Sequence, residues 1–211
     1  MSTTDSGTPR RWTHVLAVAL AACLLIGVGV SVGLLLSHES TPGTDSAEAG
    51  FARDMSEHHA QAVQLSMIAY SRATSSDVRT LASDIALTQQ AQIGIMQEWL
   101  KAWHLNPTGD KPVMSWMPDG QMSVESGNRM PGMATLEEID KLRSATGQQV
   151  DIQFCQLMLR HHLGGIHMVD GLLAKASDPR VIELAKGMKS AQTGEVQALE
   201  MLLKSMNAPT G

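Results

Sequence analysis

The sequence predicts an all-α protein, a four-helix bundle made of two duplicated helical hairpins behind one N-terminal transmembrane helix. Three observations carry that expectation. The chain repeats itself at a constant offset of 103 residues, its apolar residues recur with the 3.6-residue period of helices, and an uncharged stretch of 22 residues lies near its N-terminus. Strand alternation is nowhere apparent. A length of 211 residues suits one folded domain with extra segments at its ends.

Residues 15–36 form the first element. Their 22 uncharged positions span about 33 Å as a helix, enough for a hydrocarbon core of roughly 30 Å. Arg10 and Arg11 precede this stretch and Glu39 follows it, so residues 1–14 are expected in the cytoplasm and the rest of the chain outside the membrane. A cleaved signal peptide is a rival, with Ala47-Glu48-Ala49 as a distant cleavage site. A lipoprotein is another, because Leu20-Ala21-Ala22-Cys23 resembles a lipobox, although cleavage there would leave an apolar tail. Each alternative exports the domain. Gly29 and Gly33 have the spacing that can pack two such helices together as a homodimer, although glycines are common in membrane helices without that role. Residues 37–50 are small, polar and turn-forming, and read as a linker.

The bundle is expected over residues 51–207, with halves at about 51–104 and 135–207 and a crossover at 105–134. At the 103-residue offset Phe51 meets Phe154, Met55 meets Met158, His58 meets His161 and His59 meets His162. Further along, Val78, Leu81, Ala82, Gln89 and Leu100 each meet the same residue type, without a gap. Val78, Leu81, Ala82, Ile85, Gln89, Ile93, Met96 and Leu100 also follow the spacing of one helical face. Asp178-Pro179 is a helix start, Thr135 and Glu138 form a capping-box pattern, and Gly147 is placed to interrupt the helix that follows. Asn106-Pro107 and Asn207 with Pro209 close the second helix of each hairpin.

The repeated Met-x-x-His-His element is the candidate site. At 100° per residue, Met55, His58 and His59 share a sector of about 100°, as do Met158, His161 and His162. Ala62 and Gly165 lie one turn further on that face and are small enough for the two helices to meet, which favours motifs that face each other. Thioether sulfur beside imidazole suits Cu(I), with Ag(I) and Cu(II) as alternative occupants, whereas methionine adds little for zinc. No histidine has a glutamate three residues before it, so a di-iron bundle is disfavoured. Cys155 and Met168 lie near the second motif and are weaker candidates. So are Met114, Met117, Met130 and Met133 of the crossover, whose paired spacing suits Cu(I) carriage but equally suits anchoring a long loop. A single methionine or histidine on an apolar face is more often core than ligand.

The runs Phe51-x3-Met55-x2-His58-His59 and Phe154-x3-Met158-x2-His161-His162, with Met130-Pro131-Gly132-Met133, resemble the domain of unknown function 305 family. The resemblance covers about residues 51–206 and implies a ferritin-like bundle of exported bacterial proteins, some linked to copper or silver binding. Leu65 where Met168 stands in the second half, and Gly187 and Gly194 in the last helix, are departures from the pattern.

Two function classes follow. One is an extracytoplasmic chaperone, buffer or resistance factor for a soft metal ion, with a copper exporter or another copper protein as partner. The other is a structural or interaction module at the membrane surface, with the His-His pairs as satisfied core residues. No nucleophile-base-acid set or phosphate loop points to an enzyme, and a net charge of -5 with no basic cluster beyond Arg10-Arg11 excludes a nucleic-acid partner.

Overall fold

A computed structural model describes residues 41–210. The expected cytoplasmic segment, the apolar span at 15–36 and the start of the linker lie outside the described residues. No helix among the described residues is long and apolar enough to cross a membrane.

Among the described residues four long helices dominate: α1 (Ala47–Arg72), α2 (Ser76–Ala102), α5 (Gln148–Leu173) and α6 (Pro179–Ser205). A short helix, α3 (Gly120–Ser123), interrupts the crossover, and α4 (Leu136–Ser144) follows it ahead of α5. The first hairpin has helices of 26 and 27 residues, and so does the second, as the repeat requires. Among the described residues there is no strand, only an isolated bridge between Glu125 and Arg129.

Helix starts follow side-chain chemistry. Ser75 and Asp178 accept backbone N–H groups of α2 and α6, and Pro179 needs no such partner. Thr135 and Glu138 form the expected reciprocal capping box of α4. Gly147, at φ 59, separates α4 from α5, because an L side chain rarely adopts that turn. The linker ends earlier than its composition suggests. Residues 47–50 already belong to α1, since Ser46 accepts from Ala49 N at 3.1 Å and Glu48 lies in the first turn, where the helix dipole favours an acid.

Each hairpin packs on itself, and α1 packs across on α5. The two run antiparallel: one apolar cluster joins the start of α1 (Phe51, Met55) to the end of α5 (Met168, Leu172), and the other joins Leu65 and Ala69 to Val150 and Phe154. A reciprocal clasp fixes this arrangement. Near the start of α5, Asp151 accepts from Thr74 N at 3.0 Å, Ser75 N at 3.1 Å and the Thr74 hydroxyl, at the turn of the other hairpin. Glu48, its repeat counterpart in α1, accepts from Ser177 N at 2.8 Å in the same way.

The crossover is held down rather than loose. Asp54 accepts Met114 N and Trp116 Nε1, each at 2.7 Å, and Trp116 meets Phe51 edge-on at 5.7 Å. Burial pushes the Asp54 carboxyl up against the lowering pull of those two donors. Gln61 grips Ala134 through both its amide atoms, donating at 3.0 Å and accepting at 2.6 Å.

Candidate metal centre

The antiparallel crossing of α1 and α5 brings the two His-His pairs together between the apolar clusters. The His58 and His161 ring centroids are 3.8 Å apart, with planes tilted by 35°. His161 and His162 are 6.3 Å apart by the same measure. All four rings are buried, with relative exposures of 0 or 1 %. The His58 and His161 rings therefore face each other, and their separation does not exclude a shared ion.

Each imidazole is anchored through one nitrogen, and its other nitrogen is buried without a partner. His58 Nε2 donates to the Pro131 carbonyl at 3.0 Å, leaving Nδ1 unpaired. His59 Nε2 lies 2.8 Å from Gln92 Oε1 and His162 Nε2 lies 2.6 Å from Glu195 Oε2, again with Nδ1 unpaired. His161 is bonded to the His58 backbone, and its Nε2 is unpaired. One nitrogen held by a second partner and one free lone pair is the usual state of a metal-ligating histidine.

Burial keeps three of the rings neutral. Desolvation pushes His58 down to about 4 despite the raising effect of the Pro131 carbonyl. It pushes His59 down to about 3, helped by the neighbouring His58. His161 is likewise held well below its ordinary value, first by burial and then by His58 and His162. These three are neutral at physiological pH, the protonation state that coordination needs.

The Met130-Pro131-Gly132-Met133 turn supplies the His58 partner because glycines on both sides allow close approach. Gly132 sits at φ 76, where a Cβ would meet the Arg160 carbonyl oxygen at 2.3 Å. A Cβ on Gly164 would lie 1.9 Å from the Pro131 oxygen. Met130 and Met133, on either side of that contact, are buried.

The sulfur atoms do not follow the symmetry of the histidines. Met55, Met168, Met114, Met117, Met130 and Met133 fall in one apolar cluster, together with Met96 and Met188. Met158 falls in the other, among Leu65, Ile85 and Leu199. The six residues of the two motifs thus do not converge on one point: the histidines meet, and the two thioethers diverge along opposite directions of the bundle. Cys155 packs in the Met158 cluster, with its thiol pushed up to about 12 by burial and by Asp151, so it acts there as an apolar side chain. His167 is exposed and pairs with Ser123 Oγ at 3.1 Å, away from the site. Met122 is 86 % exposed. Among the described residues, no three or more His, Cys, Asp or Glu side chains form a ready-made metal cluster.

Residue typing from the motif alone overlooks Gln92 and Glu195. They stand at the same 103-residue offset as the histidines they hold, so the repeat itself carries their signal. Gln89 and Gln192 are a second such pair, both buried and both with unpaired amide atoms.

The sequence profile of the family described as Domain of unknown function (DUF305) matches residues 48–203. Among solved structures, a DUF305 protein of Streptomyces coelicolor, itself a predicted secreted protein, is 42% identical with a TM-score of 0.74. The alignment covers 80% of this chain and 99% of that one. A DUF305 fragment from Deinococcus radiodurans is 31% identical, with a TM-score of 0.62 over 75% of this chain and 96% of its own. CopM in its Cu(II)-bound form shares the fold at 22% identity and a TM-score of 0.59, covering 76% of this chain and 97% of its own. No curated protein sequence is significantly similar.

Proposed function

The chain belongs to the DUF305 family, and from that premise we propose that it binds a soft metal ion, Cu(I) or Ag(I) in preference to Zn(II). It does so outside the cytoplasm, as a carrier, buffer or tolerance factor rather than as an enzyme. A copper exporter or another extracytoplasmic copper protein is the partner this role requires. CopM has been crystallised with Cu(II), Cu(I) and Ag, but its low identity makes it an argument about fold. The case for this chain rests on its own donors.

The observation that carries the proposal is the set of four buried imidazoles, each with one anchored nitrogen and one nitrogen lacking a partner. A purely structural polar core satisfies its buried groups, because each one left unpaired costs about 1–3 kcal/mol. Four such atoms on two facing helices, with His58 and His161 stacked at 3.8 Å, are explained if a ligand completes them. Softness follows from the neighbours. His58 lies against a turn bearing Met130 and Met133, and Met55 and Met168 belong to the same apolar cluster as those two.

The test is metal uptake by the purified protein, with Cu(I), Ag(I) and Zn(II) offered in turn. The wild type is expected to bind the two soft ions more tightly than zinc. Replacing His58, His59, His161 and His162 with alanine should remove most of that uptake while the helical circular-dichroism spectrum persists. Undiminished Cu(I) affinity in that variant would make the histidines structural and move the site to the crossover methionines.

A further inference from the structure

The two histidine pairs are held by different chemistry, and the repeat makes the difference measurable. His59 and Gln92 are 33 residues apart, as are His162 and Glu195, and each contact is made through Nε2. Only the partner changes. A carboxylate can only accept a hydrogen bond, whereas an amide offers an acceptor on one arm and a donor on the other. Glu195 therefore demands a proton on His162 Nε2. The Nδ1 of His162 is buried with no partner, so a second proton there would be an unsatisfied donor, and that atom presents a lone pair. Gln92 makes no such demand. Turning its amide over donates to Nε2, moves the ring proton of His59 to Nδ1 and removes the lone pair from the unpaired position.

We propose that Glu195 is a positioning residue that locks His162 as a preformed Nδ1 donor, while Gln92 leaves His59 able to exchange tautomers. The second half of the repeat is thus the stronger ligand for a soft metal cation. This rests on the reading of the histidine layer as a metal site. The carboxylate acts by removing the cost of selecting one tautomer before binding. His162 is completely buried and Glu195 is 17% exposed, so the pair is shielded enough for that effect to be felt. The asymmetry also separates roles within one centre, with a fixed ligand on α5 and an adaptable one on α1.

Two exchanges test it, Glu195→Gln and Gln92→Glu. Each installs the partner that the other half already uses, in nearly the same volume, so folding is not at stake. In the full-length metal-free chain labelled with 15N-histidine, the ring-nitrogen spectrum should show His162 purely as the Nε2–H tautomer and His59 as a mixture. Glu195→Gln should turn His162 into a mixture, and Gln92→Glu should fix His59. In competition titrations with Ag(I), Glu195→Gln should weaken binding by about ten- to a hundred-fold and Gln92→Glu should strengthen it. A His162 that keeps a pure Nε2–H form in Glu195→Gln overturns the proposal. So does an Ag(I) affinity that stays constant while the tautomer shifts. A wild type that takes up no Ag(I) at all overturns the metal-site reading itself, and the ring spectrum then still decides whether Glu195 fixes the tautomer.

Discussion

A buried imidazole reports its surroundings through the pH range in which it resists protonation. In the unfolded chain His58 and His59 take up protons near pH 6.5, whereas in the folded protein they stay neutral down to about 4 and about 3. Above pH 6.5 both states are neutral there and the difference is silent. As pH falls through 6.5 the unfolded state binds more protons, and the folded state loses stability at about 1.4 kcal/mol per pH unit for each histidine. The urea midpoint of the metal-free protein is therefore expected to hold steady from pH 8 to 7. It should then drop between pH 6.5 and 5, above the range in which ordinary carboxylates titrate. A flat midpoint across that interval would contradict buried, neutral rings. Bound Ag(I) should raise the midpoint across this whole range and leave the slope unchanged, because the folded rings are already free of protons there. Gly164 offers a second test at this scale. Its Cβ would sit 1.9 Å from the Pro131 carbonyl oxygen, a backbone atom that cannot swing away. Gly164→Ala should destabilise the fold by about 1–3 kcal/mol in chemical denaturation and lower Ag(I) affinity by displacing the partner of His58.

At the scale of elements, the hairpins were legible because two independent signals agreed. The helical period set the faces, and the constant offset showed that Met55, His58 and His59 recur as a unit. The cap at Thr135 and the start at Asp178-Pro179 could be read because their partners lie within a few residues. What escaped reading pairs residues that are distant and not identical. Glu48 answers to Asp151, Thr74 to Ser177 and Gln92 to Glu195, so a search for identities passes over all three. The start of α1 was misplaced for a local reason: Ser46, Ala47 and Glu48 look like linker until Ser46 is seen to cap a helix. The path of the crossover depends on Asp54 and Gln61 gripping backbone groups 60 and 73 residues away, which no local pattern announces. The clasps predict a ranking. Asp151→Ala strands two backbone N–H groups and a hydroxyl and should cost about 2–4 kcal/mol, whereas Glu48→Ala gives up Ser177 N and a longer hydroxyl contact at 3.3 Å, from a less buried carboxylate, and should cost less. Denaturant titration of the two variants checks the order.

Over the whole molecule, the duplication supplies its own control. The two apolar clusters are exchanged by the repeat, yet three of four compared positions are occupied differently: Met96, Met168 and Met188 on one side answer to Leu199, Leu65 and Ile85 on the other, while Met55 answers to Met158. Methionine fills irregular space well, and the crossover lies over that end, so packing accounts for part of the bias. Substitution separates packing from ligation. Met55→Leu with Met168→Leu conserves volume and should cost less than about 1.5 kcal/mol per site, while weakening Ag(I) binding several-fold. Met158→Leu, in the aliphatic cluster, should change affinity less. Equal effects at the two ends, read by the same titration, would remove the distinction between them.

The clasp between Glu48 and Ser177 and its counterpart between Asp151 and Thr74 have a consequence for how the fold can be assembled. Each hairpin carries both the acid and the turn that the other hairpin recognises, so neither needs to be covalently joined to its partner to find it. A chain nicked at Gly127-Asn128, in the exposed part of the crossover, should yield two fragments that recombine into one bundle. By the same logic, a hairpin lent by a neighbouring molecule would fit as well as the resident one. Hairpin exchange between copies at high concentration is the hazard built into a protein whose halves are interchangeable keys to the same lock.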